Sequence, residues 1–333
     1  MNNTVPRVSM VIPCYNEEKY IKKSIESLVD DYFLKNCEII IVDGMSRDGT
    51  RDVVQYLIKS GLPLRLLENK KKFQVFGLNL GISNARGEII VRADAHCLYP
   101  ARYIKKCVEL LETTGASNVG GIMLPQGVST SQKAISLALK HPIGVGDAKW
   151  HLGTYKGYVD TVYLGTFWKS LFDEIGLYDE NCKTNEDAEL NLRILRARKK
   201  IYLDSAIKVI YFPRESLKKL AEQYFKYGRG RCYTILKHRK ITSLRQLAPI
   251  GLVIGLFLSI IFSFFWPIFL LFPLSYLLAL LLTVLFSWPK EKIPLKQRFL
   301  AGLAFAIMHV SWGMGFLSFL IFKMKVRQNL SSK

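Results

Sequence analysis

An apolar run near the C-terminus is the feature that most constrains what this chain can fold into. No charged residue occurs between Arg245 and Lys290. Because one membrane-spanning helix needs about 20 apolar residues, this run is long enough for two helices, with a break near Trp266 and Pro267. The sequence therefore predicts a C-terminal α-helical membrane domain over 248–333, with spans at about 248–266, 268–287 and 299–322.

Basic residues are concentrated just before that run. The formal net charge is +20, and Lys and Arg are dense between Lys199 and Arg245. Such a block suits nucleic acid, anionic lipid or phosphorylated substrates. Its position favours membrane lipids, and the lack of zinc-finger spacing or an RNA-binding signature argues against nucleic acid as a partner. Residues 214–247 mix these basic groups with Leu, Tyr and Phe, which predicts one or two amphipathic helices in the membrane interface.

The same charges predict the topology. Basic residues before the first span place the N-terminal part in the cytoplasm. Six cysteines without a CxxC pair and a polar N-terminus without a signal-peptide pattern favour the same reducing compartment. The basic loop 290–298 fits an in–out–in hairpin. A third span would put Lys323, Lys325 and Arg327 outside, so either that end is an exception to the charge rule or one apolar run does not fully cross.

The N-terminal part, residues 1–213, alternates between strand and helix patterns. The run at 38–42 is continuously apolar, as expected for a parallel strand covered on both faces. The alternation implies right-handed βαβ units, and hence an α/β domain with a mostly parallel sheet and flanking helices. Strands are predicted at 7–12, 38–42, 64–67, 88–93 and 118–123, helices at 18–28, 50–61 and 188–198, and long loops over 127–157.

Polar residues follow several of these predicted strands. Ligands of open parallel sheets bind beyond the carboxyl ends of the strands. The turn after the first strand reads Pro13-Cys14-Tyr15-Asn16-Glu17 and lacks GxGxxG, which argues against a dinucleotide cofactor. The polar residues expected at this edge of the sheet are Tyr15, Asn16, Glu17, Asp43, Asp94 and His96.

Four ordered segments of this part resemble the motifs of family 2 glycosyltransferases of the GT-A fold. They are VSMVIPCYNEEKYI, EIIIVDGMSRDGT, the acidic site after the fourth strand, and TNEDAELNLRI. The resemblance covers roughly residues 7–213 and implies a GT-A-like domain that transfers sugar from a nucleotide-sugar. RADAHCLYP, with the long apolar C-terminus, is more narrowly similar to the succinoglycan-type exopolysaccharide glucosyltransferases.

The resemblance implies a set of donor-binding residues. Asp43 would bond the uracil or ribose, and Tyr15 would lie against the base. From the residues alone, the alternatives are that Asp43 only forms a turn and that Tyr15 belongs to the core. Arg229 and Arg231 sit where processive relatives carry a QxxRW motif and could clamp phosphate, although lipid contact explains them as well. The expected donor-binding residues are Pro13, Tyr15, Asn16, Glu17, Asp43, Asp94, Arg229 and Arg231.

Asp94-Ala95-His96 stands in the place of the DxD motif of the family. Along an extended segment, the first and third positions point to the same side. Asp94 and His96 are therefore expected to hold a divalent cation against the two donor phosphates, where it neutralises the charge of the leaving diphosphate. Imidazole suits Mn²⁺ better than Mg²⁺, so Mn²⁺ is the expected ion. The alternative is that His96 packs behind the metal site.

The resemblance also implies the catalytic and acceptor-side residues. In the family, the Asp of the Glu186-Asp187 pair is the general base that an inverting transfer requires. A helix N-terminus favours the ionised form of a carboxylate. The alternative is that both residues only complement the helix dipole. Gly165 and Thr166 resemble the acceptor-side segment, although Gly165 could equally serve a tight turn.

These inferences lead to a function. The sequence predicts an inverting enzyme that moves a sugar, with glucose expected, from a UDP-sugar to a lipid-linked saccharide. It would act at the cytoplasmic face of the inner membrane as a multi-pass protein in exopolysaccharide or cell-surface glycan synthesis, with other polysaccharide-assembly proteins as candidate partners. The alternatives are a polyprenyl-phosphate sugar synthase and a non-catalytic, membrane-bound nucleotide-binding scaffold.

Overall fold

The chain divides into two compact units. The computed structural model describes residues 5–241, 243–288 and 292–331, with the backbone alone at 244 and 325–331. Lys290, in the predicted basic loop, and the side chains of Lys325 and Arg327 lie outside this description. The first unit comprises Met1–Leu124 and Lys149–Tyr211, and the second comprises Pro125–Ala148 and Phe212–Lys333.

Within the described part of the chain, one sheet contains nine strands. Its order is β3-β2-β1-β4-β8-β6-β9-β5, and β7 pairs with β9. The strands are β1 (Val8–Cys14), β2 (Cys37–Asp43), β3 (Leu64–Glu68), β4 (Ile89–Arg92), β5 (Cys97–Leu98), β6 (Asn118–Pro125), β7 (Lys156–Val159), β8 (Tyr163–Trp168) and β9 (Ile201–Tyr211).

The sheet is mixed, because only part of it consists of parallel strand pairs. The parallel half consists of β1 to β4, with Val11 level with Ile40 on one side and with Arg92 on the other. Every residue of β2 is buried, as a doubly covered parallel strand requires. However, β8 runs antiparallel to both β4 and β6. The prediction of a mostly parallel sheet therefore holds only for the first four strands, because the βα alternation from which it came ends near residue 120.

Helices flank the sheet and build the second unit. In the first unit, Val75, Leu78 and Ile82 of one helix pack with Val11 and Ile40 of the sheet. The helices in the described ranges are α1 (Ile21–Glu26), α2 (Asp31–Asn36), α3 (Thr50–Lys59), α4 (Gln74–Ser83), α5 (Tyr103–Thr114), α6 (Thr130–Leu139), α7 (Pro142–Val145), α8 (Lys149–Leu152), α9 (Ser170–Ile175), α10 (Glu186–Arg196), α11 (Leu217–His238), α12 (Ala248–Ser263), α13 (Leu271–Phe286) and α14 (Leu295–Ser331).

The prediction of long loops over 127–157 is wrong. Three helices, α6, α7 and α8, and the first residues of β7 lie there. The start of α6 is a capping box, in which Ser129 accepts a bond from the backbone of Gln132 and Gln132 bonds back. This S-x-x-Q pattern was a readable signal. The glycines of the segment suggested open loops instead. Gly144, however, is packed against α6.

The second unit contains the long apolar helices. Two segments, Pro267–Phe286 and Leu295–Met324, are long and apolar enough to cross a membrane, and Ala248–Ser263 is a shorter apolar helix. Large side chains of α12 and α13, such as Phe257 and Leu271, are exposed. Water would disfavour so many exposed apolar side chains, whereas lipid would not.

Helix α11 lies against α14 at close range. A Cβ atom on Gly228 would collide with the backbone oxygen of Trp312, and one on Gly315 with that of Phe225. Small residues at such crossings let two helix backbones approach closely. The basic, amphipathic segment predicted before the membrane region is thus a helix fixed on the last apolar helix.

Candidate active site

The loops that follow β1 and β2 contact each other at the carboxyl ends of these strands. The backbone N–H of Asn16 donates to Ser46 Oγ at 2.8 Å, and the N–H of Arg47 donates to Asn16 Oδ1 at 2.9 Å. The N–H of Glu17 donates to Thr50 Oγ1 at 2.8 Å. Asn16 and Glu17 therefore lie at this edge of the sheet as predicted, whereas Pro13 lies within β1 and Asp43 is the last residue of β2.

Asp43 and Tyr15 differ sharply in exposure. Asp43 is fully buried, and its carboxylate accepts bonds from the backbone N–H of Ser46 at 3.1 Å and from Ser46 Oγ at 2.5 Å. Its carboxylate thus stabilises the turn in which Met45 has a φ of 66°. Tyr15 is 46% exposed and does not belong to the core, so its ring is accessible to a ligand. Donor contacts by either residue stay a prediction.

Asp94 follows the end of β4 and is held by a buried tyrosine. The Tyr99 hydroxyl lies 2.7 Å from the backbone N of Asp94 and donates to its carbonyl oxygen at 3.0 Å. The segment is not extended as expected, because Ala95 and His96 form a turn. Tyr99 belongs to the RADAHCLYP segment, yet no periodicity signalled that it would fix the backbone of Asp94.

His96 contacts the loop that follows β1. Its Nδ1 lies 3.0 Å from Glu17 Oε1, and its ring lies 5.5 Å from the ring of Tyr211. The carboxylate of one sequence motif is therefore in direct contact with the imidazole of another. Both residues were expected at this edge of the sheet, but the sequence did not indicate that Glu17 and His96 are in direct contact.

Arg92 connects the remaining two motifs. Its Nη2 lies 3.1 Å from Glu186 Oε1, at the start of α10, and 3.8 Å from Asp94 Oδ1. Burial alone would lower the pKa of Arg92, but the carboxylates of Glu186 and Asp94 outweigh it and raise that pKa well above its ordinary value. Burial raises the pKa of Glu186, while the charge of Arg92 acts against it. Asp187 is only half-buried.

This geometry agrees with a comparison of the sequence with known families. The family model described as Glycosyl transferase family 2 matches residues 9–176. The chain belongs to glycosyl transferase family 2. Over 244 residues it is 35% identical to the succinoglycan biosynthesis protein ExoA of Rhizobium meliloti (strain 1021), which covers 73% of this chain and 74% of that protein.

Other glycosyl transferases of this kind are also similar. A dolichyl N-acetyl-alpha-D-glucosaminyl phosphate 3-beta-D-2,3-diacetamido-2,3-dideoxy-beta-D-glucuronosyltransferase of Methanococcus voltae is 31% identical over 240 residues, covering 69% of this chain and 74% of that protein. The mannosyltransferase PcManGT from Pyrobaculum calidifontis, solved with GDP-Man and Mn²⁺, has a TM-score of 0.59 at 17% identity, over 96% of this chain and 88% of its own. The predicted GT-A-like α/β fold is thereby confirmed.

Family 2 transferases of the GT-A fold generally use a divalent cation. Asp94 and His96 offer a carboxylate and an imidazole, which suit a first-row divalent ion. Across the described ranges, no group of three His, Cys, Asp or Glu residues could hold a metal ion. The donor set fits a cation that takes its other ligands from substrate phosphates and water, as such ions do in phosphoryl sites.

The predicted acceptor-side residues and the two predicted arginines take no part in the contacts described above. Thr166 of β8 is fully buried, and a Cβ on Gly165 would come within 2.8 Å of Asn118 Oδ1. Tight packing therefore explains the glycine, and an acceptor role for Gly165 and Thr166 stays a prediction. Arg229 is exposed on α11, with its guanidinium 5.7 Å from the Phe319 ring, and Arg231 on the same helix is half-buried. Donor contact by these arginines also stays a prediction.

Proposed function

We propose that this family 2 transferase moves glucose from UDP-glucose to a lipid-linked saccharide, with inversion, at the cytoplasmic face of the inner membrane. The observation that carries the proposal is the contact of one guanidinium, that of Arg92, with both Asp94 and Glu186. This contact supports a single site in which a metal-binding motif and a base motif act on the same donor.

The proposed chemistry assigns one role to each residue. Asp187 takes the proton of the acceptor hydroxyl as its oxygen attacks the anomeric carbon and the bond to the diphosphate breaks. Glu186 is buried and paired with Arg92, so we assign the base to Asp187 alone. Asp94 and His96 would hold the cation, which when bound neutralises the charge on the leaving diphosphate. Tyr15 and Asp43 would bind the nucleoside, and Glu17 would support His96.

The membrane and pathway assignments rest on different observations. Two helices long enough to span, with α12 as a third apolar helix, support a multi-pass protein with α11 against the lipid headgroups. The similarity to a succinoglycan biosynthesis protein supports exopolysaccharide assembly and contacts with other assembly proteins. The similarity to a transferase acting on a dolichyl-linked sugar supports a lipid-linked saccharide as acceptor.

Product analysis tests this function. Purified full-length chain is incubated with radiolabelled UDP-glucose, Mn²⁺ and a membrane lipid extract, and the labelled lipid is isolated. We expect a glycosidic linkage of inverted configuration. A sugar phosphodiester would instead identify a polyprenyl-phosphate sugar synthase, and binding of UDP without any turnover would identify a scaffold.

The metal preference is a separate prediction. With His96 as a ligand, transfer with Mn²⁺ should exceed transfer with Mg²⁺ by about tenfold, because Mg²⁺ prefers oxygen donors. The variant His96→Asp should lose most of that difference. The measurement is the initial rate against metal concentration, together with Mn²⁺ affinity from electron paramagnetic resonance. Equal rates with both ions in the unmodified chain would remove His96 from the ligand set.

A further inference from the structure

Arg92 is a buried cation that the chemistry above leaves without a role. It is the last residue of β4, is only 8% exposed, and lies beside Val11 in the parallel register. We propose that Arg92 is a positioning residue: it fixes the first turn of α10, and hence Asp187, relative to Asp94. This inference rests on the proposed function for its catalytic consequence, but not for its structural one.

The start of α10 is not capped by the side chain of its N-cap residue. Asn185, at the N-cap, has a φ of 60° and makes no capping bond from its side chain. Such caps normally satisfy the first N–H groups of a helix and hold its entry. The charge-assisted bond from Arg92 to Glu186 at 3.1 Å acts on this first turn instead. Glu186 adjoins Asp187, so the position of one constrains the other.

The charges around Arg92 also support its role as a positioning residue. The carboxylates of Glu186 and Asp94 lie 3.1 and 3.8 Å from this guanidinium, and Asp187 follows Glu186 directly in the chain. Like charges gathered in a poorly solvated site repel one another, so they need a central cation to stay together before any metal binds. A buried charge that loses its partner is strongly destabilising, which makes both Arg92 and Glu186 intolerant of single replacement.

The shape of the side chain matters as well as its charge. Arg92 Nε and Nη1 are buried and have no hydrogen-bond partner among the described residues, so only Nη2 makes the contacts with Glu186 and Asp94. A guanidinium holds its donors in a rigid plane, whereas a lysine ammonium is a point charge on a flexible stem. We therefore expect Arg92→Lys to keep the fold but not the position of α10.

The test compares Arg92→Gln, Arg92→Lys and the double variant Arg92→Gln/Glu186→Gln. The matched control is Arg65→Gln, because Arg65 also pairs with a buried carboxylate, Glu38 at 3.3 Å, near the start of β2 and away from the site. Arg92→Gln should lower kcat by about 100-fold with the Kd for UDP-glucose within about threefold. The double variant should recover about tenfold, because the buried carboxylate of Glu186, which Arg92 contacts at 3.1 Å, is no longer left as an unpaired charge. Arg65→Gln should lower thermal stability with little change in kcat.

Hydrogen exchange separates this inference from the proposed function. The amides of α10 that donate to carbonyl groups of its first turn, beginning with Glu189 N–H on Asn185 O at 3.2 Å, should exchange at least about tenfold faster in Arg92→Gln and Arg92→Lys than in the unmodified chain, and at the same rate in Arg65→Gln. This readout needs no activity, so an inactive unmodified chain would refute the function alone. Unchanged exchange in α10 would overturn the inference, as would a large rise in donor Kd with unchanged kcat, which would place Arg92 on the donor.

Discussion

Replacing Asp187 with Asn is expected to lower kcat for sugar transfer by about 10³-fold while leaving the Kd for UDP-glucose within about twofold. An amide cannot take the proton of the acceptor hydroxyl, but it has nearly the shape of the carboxylate it replaces. Asp187 is suited to this role because it is half-buried at the start of α10, whereas Glu186 beside it is buried and paired. The measurements are single-turnover transfer and calorimetric titration of the donor.

Asp173 provides the matched control. It also stands in the first turn of a helix, α9, and it is exposed. If Asp187 only complemented the helix dipole, both Asn variants would lose a similar small amount of stability, about 0.5 kcal/mol, and neither would lose turnover. We expect Asp173→Asn to behave in that way and Asp187→Asn not to. An Asp187→Asn chain with ordinary turnover would contradict the assignment of the base.

Alanine at Gly228 or Gly315 is expected to prevent α11 from packing on α14. At both positions the added Cβ would meet a backbone carbonyl oxygen of the other helix, that of Trp312 or of Phe225. A backbone atom cannot rotate away, so the helices must separate along their contact. We expect a loss of about 3 kcal/mol, seen as a low yield of monodisperse protein in detergent and a lower unfolding temperature.

Gly251 of α12 is the control for these two variants. A Cβ there would have no heavy atom within 4 Å, so Gly251→Ala removes a helix glycine at no steric cost. It should leave stability unchanged or raise it by a few tenths of a kcal/mol up to about 1 kcal/mol. Gly228→Ala and Gly315→Ala proteins as stable as Gly251→Ala would show that the close crossing of α11 and α14 is incorrect.

The sequence predicts the parallel half of the sheet because its signals are local. In β2, a continuous apolar run meant burial on both faces, and the structure buries every residue of that strand. The antiparallel half was not predictable in the same way. Strand β8 enters between β4 and β6, and no local pattern specifies which distant strands a short segment will pair with.

The candidate site, like the sheet, was predicted from the sequence only in part. The loops after β1 and β2 meet as predicted, because parallel strands end at one edge of the sheet. Contacts across long separations in sequence were missed, such as Glu17 with His96 and Arg92 with Glu186. A charged residue at the end of the apolar strand Ile89–Arg92 was the available signal for Arg92, because a buried charge requires partners. Which partners it has depends on tertiary packing alone.

The ligands of a bound Mn²⁺ test the central claim most directly. The measurement is a structure of the full-length chain with UDP and Mn²⁺. The account predicts that the carboxylate of Asp94 and the imidazole of His96 lie within about 2.5 Å of the ion, with diphosphate oxygens completing its shell and Asp187 uncoordinated. An ion bound to neither Asp94 nor His96, or one held by Asp187, would contradict it.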